Sequence, residues 1–226
     1  MNADAGTAWV ARGLRIVFGV LGAVALVWIP LRSEGIDSFP IVNYLSYFTV
    51  ESAAFGVLVL LIGGLRDPRG RRWQLIRGAS TLYLLTTGMV YVMLLADSDV
   101  MLADRWINDV LHGVLPLVLV ADWMLGSGRE RIGPAAGVIG AWLAYPTAYG
   151  AYTLIRGLIV GWYPYPFLDP RQRGYVSLIT SLVALICVFV FSAVAVAAVC
   201  GMLRRRVGNT RSGRGSFAAD AAREFR

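Results

Sequence analysis

Six apolar runs occupy most of the first 203 residues of this chain: Leu14–Leu31, Asn43–Leu65, Leu75–Ala96, Trp106–Leu125, Ala135–Leu158 and Tyr175–Leu203. Each is near or above the ~20 residues that a helix needs to cross a bilayer. Short linkers separate them, with no room for a domain outside the membrane. Of the 226 residues, 57% are apolar and only 15% charged, against about 45–50% and 25% in a soluble domain. These figures exclude a disordered chain, a collagen, a coiled-coil rod and an ordinary cytosolic enzyme. The expected fold is all-α: a polytopic bundle of six transmembrane helices over 1–203, followed by a basic, disordered cytoplasmic tail over 204–226.

The first run follows Arg12 and Arg15, and Ala23-Val24-Ala25 imitates a cleavage site. It continues to Leu31, longer than a signal-peptide core, and is read as a retained span. All 21 basic residues are arginine and the net charge is +7. The arginines lie between apolar runs, so they are read as topology signals and headgroup contacts, with no nucleic-acid partner. With six spans, sixteen arginines fall on the side of the two termini and five on the other. That bias predicts cytoplasmic termini in the cell membrane. The acidic linker after Ala96 and the Trp162–Pro170 loop, WYPYPFLDP, then face outward. Cys187 and Cys200 lie in one run, roughly 20 Å apart along a helix, so no intrachain disulfide is expected. With one histidine in the chain, no cysteine–histidine metal set can be built; neither a metal nor an organic cofactor is expected.

Polar groups are costly inside hydrocarbon, so those within the runs carry the information. His112 lies six residues into the fourth run, and Thr49 six residues into the second. Both runs enter from the outer side, so the two residues share a depth. A membrane threonine ordinarily bonds its own preceding carbonyls or packs on a neighbour. A lone intramembrane histidine is either a structural hydrogen-bonding group or a functional one. Asn108 and Asp109 precede His112 by four and three residues, so they are expected on its face. Pro116 removes a backbone donor to residue 112 and should bend the helix there. Ser52 and Gly56 share the face of Thr49, while Glu51 turns away and needs a partner. Tyr145, Tyr149, Tyr152 and Arg156 form one stripe on the fifth run, read as the wall of a polar cavity. Arg156, near the outer end, either snorkels to the interface or pairs with Glu51 or Asp109. Arg77 and Asp122, at similar depth near the inner face, read as a structural ion pair.

Three segments, Tyr47-Phe48-Thr49, Trp106-x-Asn108-x-x-x-His112 followed by Leu115-Pro116, and Trp162–Leu168, share an order and spacing. Together they resemble the androgen-induced and androgen-dependent multipass membrane proteins and their bacterial relatives. That resemblance spans essentially all the runs. It implies an intramembrane threonine hydrolase of fatty acid esters of hydroxy fatty acids, with the nucleophile at Thr49 and the histidine at His112. Trp106 and Asn108 match the same motif; Asp109 does not, and its reading as a histidine orienter comes from position alone.

The implied chemistry is attack of the Thr49 hydroxyl on an ester carbonyl with His112 as general base. Asn108 or a tyrosine of the fifth-run stripe would donate to the oxyanion. Arg156 would hold a substrate carboxylate. Ser52, Asp109, Tyr149 and Tyr152 complete the expected cavity contacts. The partners are membrane lipids and a lipid-ester substrate. The competing class is a non-enzymatic membrane protein that binds or carries a lipid or small solute in a polar cavity. Only the hydrolase needs the Thr49 hydroxyl and His112 imidazole within about 3 Å, or bridged by one water.

Overall fold

The computed structural model describes residues 3–33, 40–95, 104–126 and 132–224, with side chains described between Gly6 and Val199. The linker arginines Arg129 and Arg131, the thiol of Cys200 and the side chains of the basic tail lie outside the described residues. Among the described residues the fold is all-helical, with no strand. Its helices are α1 (Ala3–Arg32), α2 (Ile41–Leu45), α3 (Phe48–Arg66), α4 (Arg71–Val90), α5 (Arg105–Asp109), α6 (Leu115–Gly126), α7 (Ala136–Val160) and α8 (Pro170–Glu224). The backbone of α8 runs on past Leu203, where the sixth apolar run ends, and is interrupted at Gly174, whose φ of 77° a side chain would resist.

Among the described residues, four stretches are long and apolar enough to cross a membrane: Gly6–Arg32, Phe48–Arg66, Arg105–Gly126 and Pro170–Val199. The remaining two of the six sequence runs fold as α4 and α7 but are less apolar, for a physical reason. α4 is the central helix, in contact with α3, α6, α7 and α8. It therefore meets protein, and buries Gln74, Arg77, Ser80, Thr81, Thr86 and Thr87. α7 carries the tyrosine stripe, which lowers its hydropathy without shortening it. Outward faces tell the complementary story: Val17, Val24, Val176, Ile179, Val183 and Ile186 are all exposed, as a lipid-facing surface requires.

α1 lies along α3. A Cβ at Gly64 would stand 2.9 Å from the Arg12 carbonyl, so only glycine permits this approach. At the same end, Asp122 holds Arg15 at 2.5 Å and Arg77 at 2.7 Å. Arg15 also lies 3.3 Å from Asp67. The expected Arg77–Asp122 pair is thus part of a larger buried cluster. Burying these charges is tolerable because each is paired.

Three of the apolar runs are not continuous α-helices. The second breaks at Ser46–Tyr47, separating α2 from α3. Ser46 turns its hydroxyl back on the Val42 carbonyl at 2.7 Å, and Tyr149 takes the Ser46 carbonyl at 2.8 Å. Thr49 consequently sits in the first turn of α3 rather than mid-helix. The fourth widens into a π-helical turn over Val110–Val114, between α5 and α6. Pro116, lacking an N–H, removes the α-helical donor to the His112 carbonyl, and the wider register follows just before it. A second π turn, Tyr91–Leu95, extends α4.

Candidate functional site

The first turn of α3 has backbone N–H groups with no helical acceptor. Two phenols supply one each. Tyr149 accepts the N–H of Phe48 at 3.0 Å, and Tyr165 accepts that of Thr49 at 3.4 Å. Tyr165 comes from the loop between α7 and α8, folded inward so that its ring is buried. Burial pushes its phenol up to about 12, so the hydroxyl keeps its proton at physiological pH. Thr49 thus occupies the positive end of a helix dipole, in a turn clamped by two tyrosines.

Across from it stands His112. Thr49 Oγ1 lies 3.2 Å from His112 Nε2. His112 Nδ1 lies 3.2 Å from the backbone carbonyl of Asn108. A carbonyl only accepts, so Nδ1 carries the proton and Nε2 presents its lone pair to the Thr49 hydroxyl. The ring is further fixed by stacking on Tyr91, with centroids 4.3 Å apart. Tyr91 in turn accepts the Asn108 amide at 2.5 Å. Tyr91 and His112 each stand in a π turn, and a Cβ at Gly88 would lie 3.0 Å from the His112 carbonyl. Glycine there lets the two turns approach.

The orienter expected of Asp109 is therefore the Asn108 carbonyl. The π turn shifts the register, and Asp109 is left exposed without a hydrogen-bond or ion-pair partner among the described residues. Ser52 does join Thr49: its hydroxyl donates to the Thr49 carbonyl at 3.2 Å and lies 3.1 Å from Thr87 Oγ1.

The α7 stripe does more joining than lining. Tyr145 bonds Glu51, Tyr149 bonds Ser46 and Phe48, Tyr152 bonds Ser46 Oγ at 3.0 Å, and Arg156 bonds Asn43 at 2.6 Å. As α7 descends the stripe, its partners ascend α2 and α3, so the helices are laced antiparallel. Arg156 also covers the ring of Trp162. Its expected pairing with Glu51 or Asp109 is corrected to Asn43, because Glu51 is taken by Tyr145. Arg156 is not among the cavity-lining residues, and neither is Tyr152. Tyr149 gives its proton to the Ser46 carbonyl and Asn108 turns its amide to Tyr91, so the oxyanion donors expected of them are engaged elsewhere. Tyr165 was not singled out by sequence reasoning; its signal was its place inside the Trp162–Leu168 motif.

A cavity of about 440 Å³ opens from Thr49 and His112. Its long walls are α7 and α8, through residues such as Leu143, Leu154, Leu182 and Phe189, and Phe167 and Leu168 roof it. The lining is largely apolar, with Thr49 and His112 among its few polar members. Comparison of the chain with family models, with curated proteins and with solved structures gives no match.

Proposed function

We propose that this chain is a six-span protein of the cell membrane, termini cytoplasmic, that hydrolyses lipid esters with Thr49 as nucleophile and His112 as general base. Esters of hydroxy fatty acids are the substrate class that the resemblance to the androgen-induced and androgen-dependent proteins implies. The observation that carries the reading is the 3.2 Å contact of Thr49 Oγ1 with His112 Nε2, both lining a largely apolar cavity.

His112 Nε2 takes the hydroxyl proton as Thr49 Oγ1 attacks the ester carbonyl. The carbonyl oxygen becomes an oxyanion at the N-terminal end of α3, where the helix dipole and the Tyr165 hydroxyl favour negative charge. The C–O bond to the alcohol breaks, and the imidazolium returns its proton to the departing alkoxide. Water, deprotonated by the same Nε2, attacks the acyl-threonine. The acid leaves and Thr49 regains its proton. The Asn108 carbonyl keeps Nδ1 protonated through both halves, and the imidazolium that forms donates from both nitrogens.

The test is labelling of the detergent-purified protein by a fluorophosphonate, with turnover of a fatty acid ester of a hydroxy fatty acid. Labelling and turnover in the parent, absent from folded Thr49→Ala and His112→Ala, support the hydrolase. A folded parent that neither labels nor turns over, yet retains lipid detectable by mass spectrometry, supports the alternative of a lipid-binding protein without chemistry.

A further inference from the structure

Cavity walls made of polar residues ordinarily satisfy those residues internally or through a ligand. Thr87 donates to the Tyr83 carbonyl at 2.9 Å, and Thr147 to the Leu143 carbonyl at 2.8 Å. Tyr149 donates to the Ser46 carbonyl, Thr49 meets His112, and Tyr165 accepts the Thr49 N–H. Thr86 is different. It lines the cavity and is 1% exposed, yet among the described residues its hydroxyl has no hydrogen-bond partner. Its neighbours on α4 behave as helical threonines do: Thr81 turns back to the Arg77 carbonyl at 3.0 Å, as Thr87 does to Tyr83. A buried hydroxyl without a partner is retained against a free-energy cost, which a bound acceptor would remove.

The chemistry of the surroundings limits that acceptor. It reaches Thr86 from a cavity bounded by aliphatic and aromatic side chains of α7 and α8, so it belongs to a largely apolar molecule. Thr86 lines the same cavity as the Thr49–His112 pair. The cavity also has spare room at Gly150, where an added Cβ would meet nothing within 4 Å. We propose that Thr86 is a ligand-binding residue whose hydroxyl donates to an ester oxygen of a long-chain acyl ester held between α7 and α8. This rests on the lipid-ester reading of the site for the ligand's class, and on the unpartnered hydroxyl for the contact itself.

The experiment uses full-length protein in detergent carrying Thr49→Ala, so that the ester stays intact. The probe is a palmitoyl ester with a diazirine on its acyl chain, photolysed over a concentration series. Saturable capture is expected, with crosslinks on the peptides holding Gly150–Leu154 and Leu182–Val190. Adding Thr86→Val, which keeps the shape and removes the hydroxyl, is expected to raise the half-saturating concentration about tenfold, the worth of one buried hydrogen bond. Thr86→Ser restores the hydroxyl and is expected to stay near the parent. Gly150→Trp, which fills the open wall, is expected to suppress capture. Equal half-saturation of the parent and the folded Thr86→Val protein would overturn the proposal, as would a parent without saturable capture. The hydrolase reading is scored separately, by turnover with Thr49 intact. Thr86-dependent capture without turnover keeps this contact and removes the chemistry; turnover with Thr86-independent capture does the reverse.

Discussion

Thr49 Oγ1 and His112 Nε2 stand 3.2 Å apart although 63 residues separate them in the chain. The Asn108 carbonyl behind the ring fixes which nitrogen faces the hydroxyl. In the proposed hydrolysis, replacing either partner removes the proton transfer, so Thr49→Ala and His112→Ala are each expected to lower ester turnover by about 10²–10⁴-fold. Initial rates on detergent-solubilised ester, with melting curves to show folding, check this. Near-parental rates in either folded variant would exclude the pair as the reacting groups.

Tyr165→Phe keeps the ring, its stack on Phe167 at 5.2 Å and the loop fold, and removes one hydroxyl beside Thr49. If that hydroxyl stabilises the oxyanion, kcat falls about 100-fold while KM changes little. A change confined to KM would instead make Tyr165 a ground-state contact.

A Cβ added at Gly88 would lie 3.0 Å from the His112 carbonyl oxygen and 3.4 Å from Pro116. Gly88→Val pushes the His112 carbonyl and Pro116 outward, at a cost of about 1–3 kcal/mol. Both the melting temperature and turnover are expected to fall. Unchanged values of both would show that the π turn has slack.

Asp122→Ala leaves Arg15 and Arg77 without their shared anion in a buried cluster. A loss of about 3 kcal/mol is expected, read as a lower melting temperature. Turnover per folded molecule should be unaltered, since the cluster lies at the other end of α4 from Thr86.

Asp169 accepts the N–H of Arg171 at 3.0 Å and holds its guanidinium at 2.8 Å, with Pro170 between them. This is the sequence pattern of a helix start. The guanidinium keeps the Asp169 carboxyl below its ordinary value, so its contribution is complete above the unfolded-state pKa and lost as pH falls through the folded one. Asp169→Ala should lower the melting temperature by a constant amount at neutral pH, with the gap closing below about pH 4. A gap that persists unchanged through that window would remove charge from the explanation.

Much of this site was legible in the sequence because the membrane makes polar residues conspicuous. Thr49 and His112 stood out by depth and motif, Ser52 by sharing the helical face of Thr49, and Arg77 and Asp122 by depth alone. What the sequence hid was created by tertiary contacts. The break before Phe48 depends on a phenol arriving from α7, and Tyr165 reaches Thr49 only because its loop folds inward. Asp109 was misassigned because α-helical spacing was applied across a π turn. Arg156 was given an acidic partner because Asn43, an amide, does not announce itself as a counterpart for a cation.

The position of α4 carries a consequence for biogenesis. Arg77, Gln74 and its hydroxyl-bearing residues are each unfavourable to place in lipid alone, yet every one of them is covered once the neighbouring helices are present. On the six-span topology, α4 owes its place in the bilayer to α3, α6, α7 and α8 rather than to its own partitioning. Three of those four are synthesised after it. On that proposed topology, the nascent chain shelters a poorly partitioning segment until its later neighbours emerge, which makes membrane integration and tertiary assembly a single event.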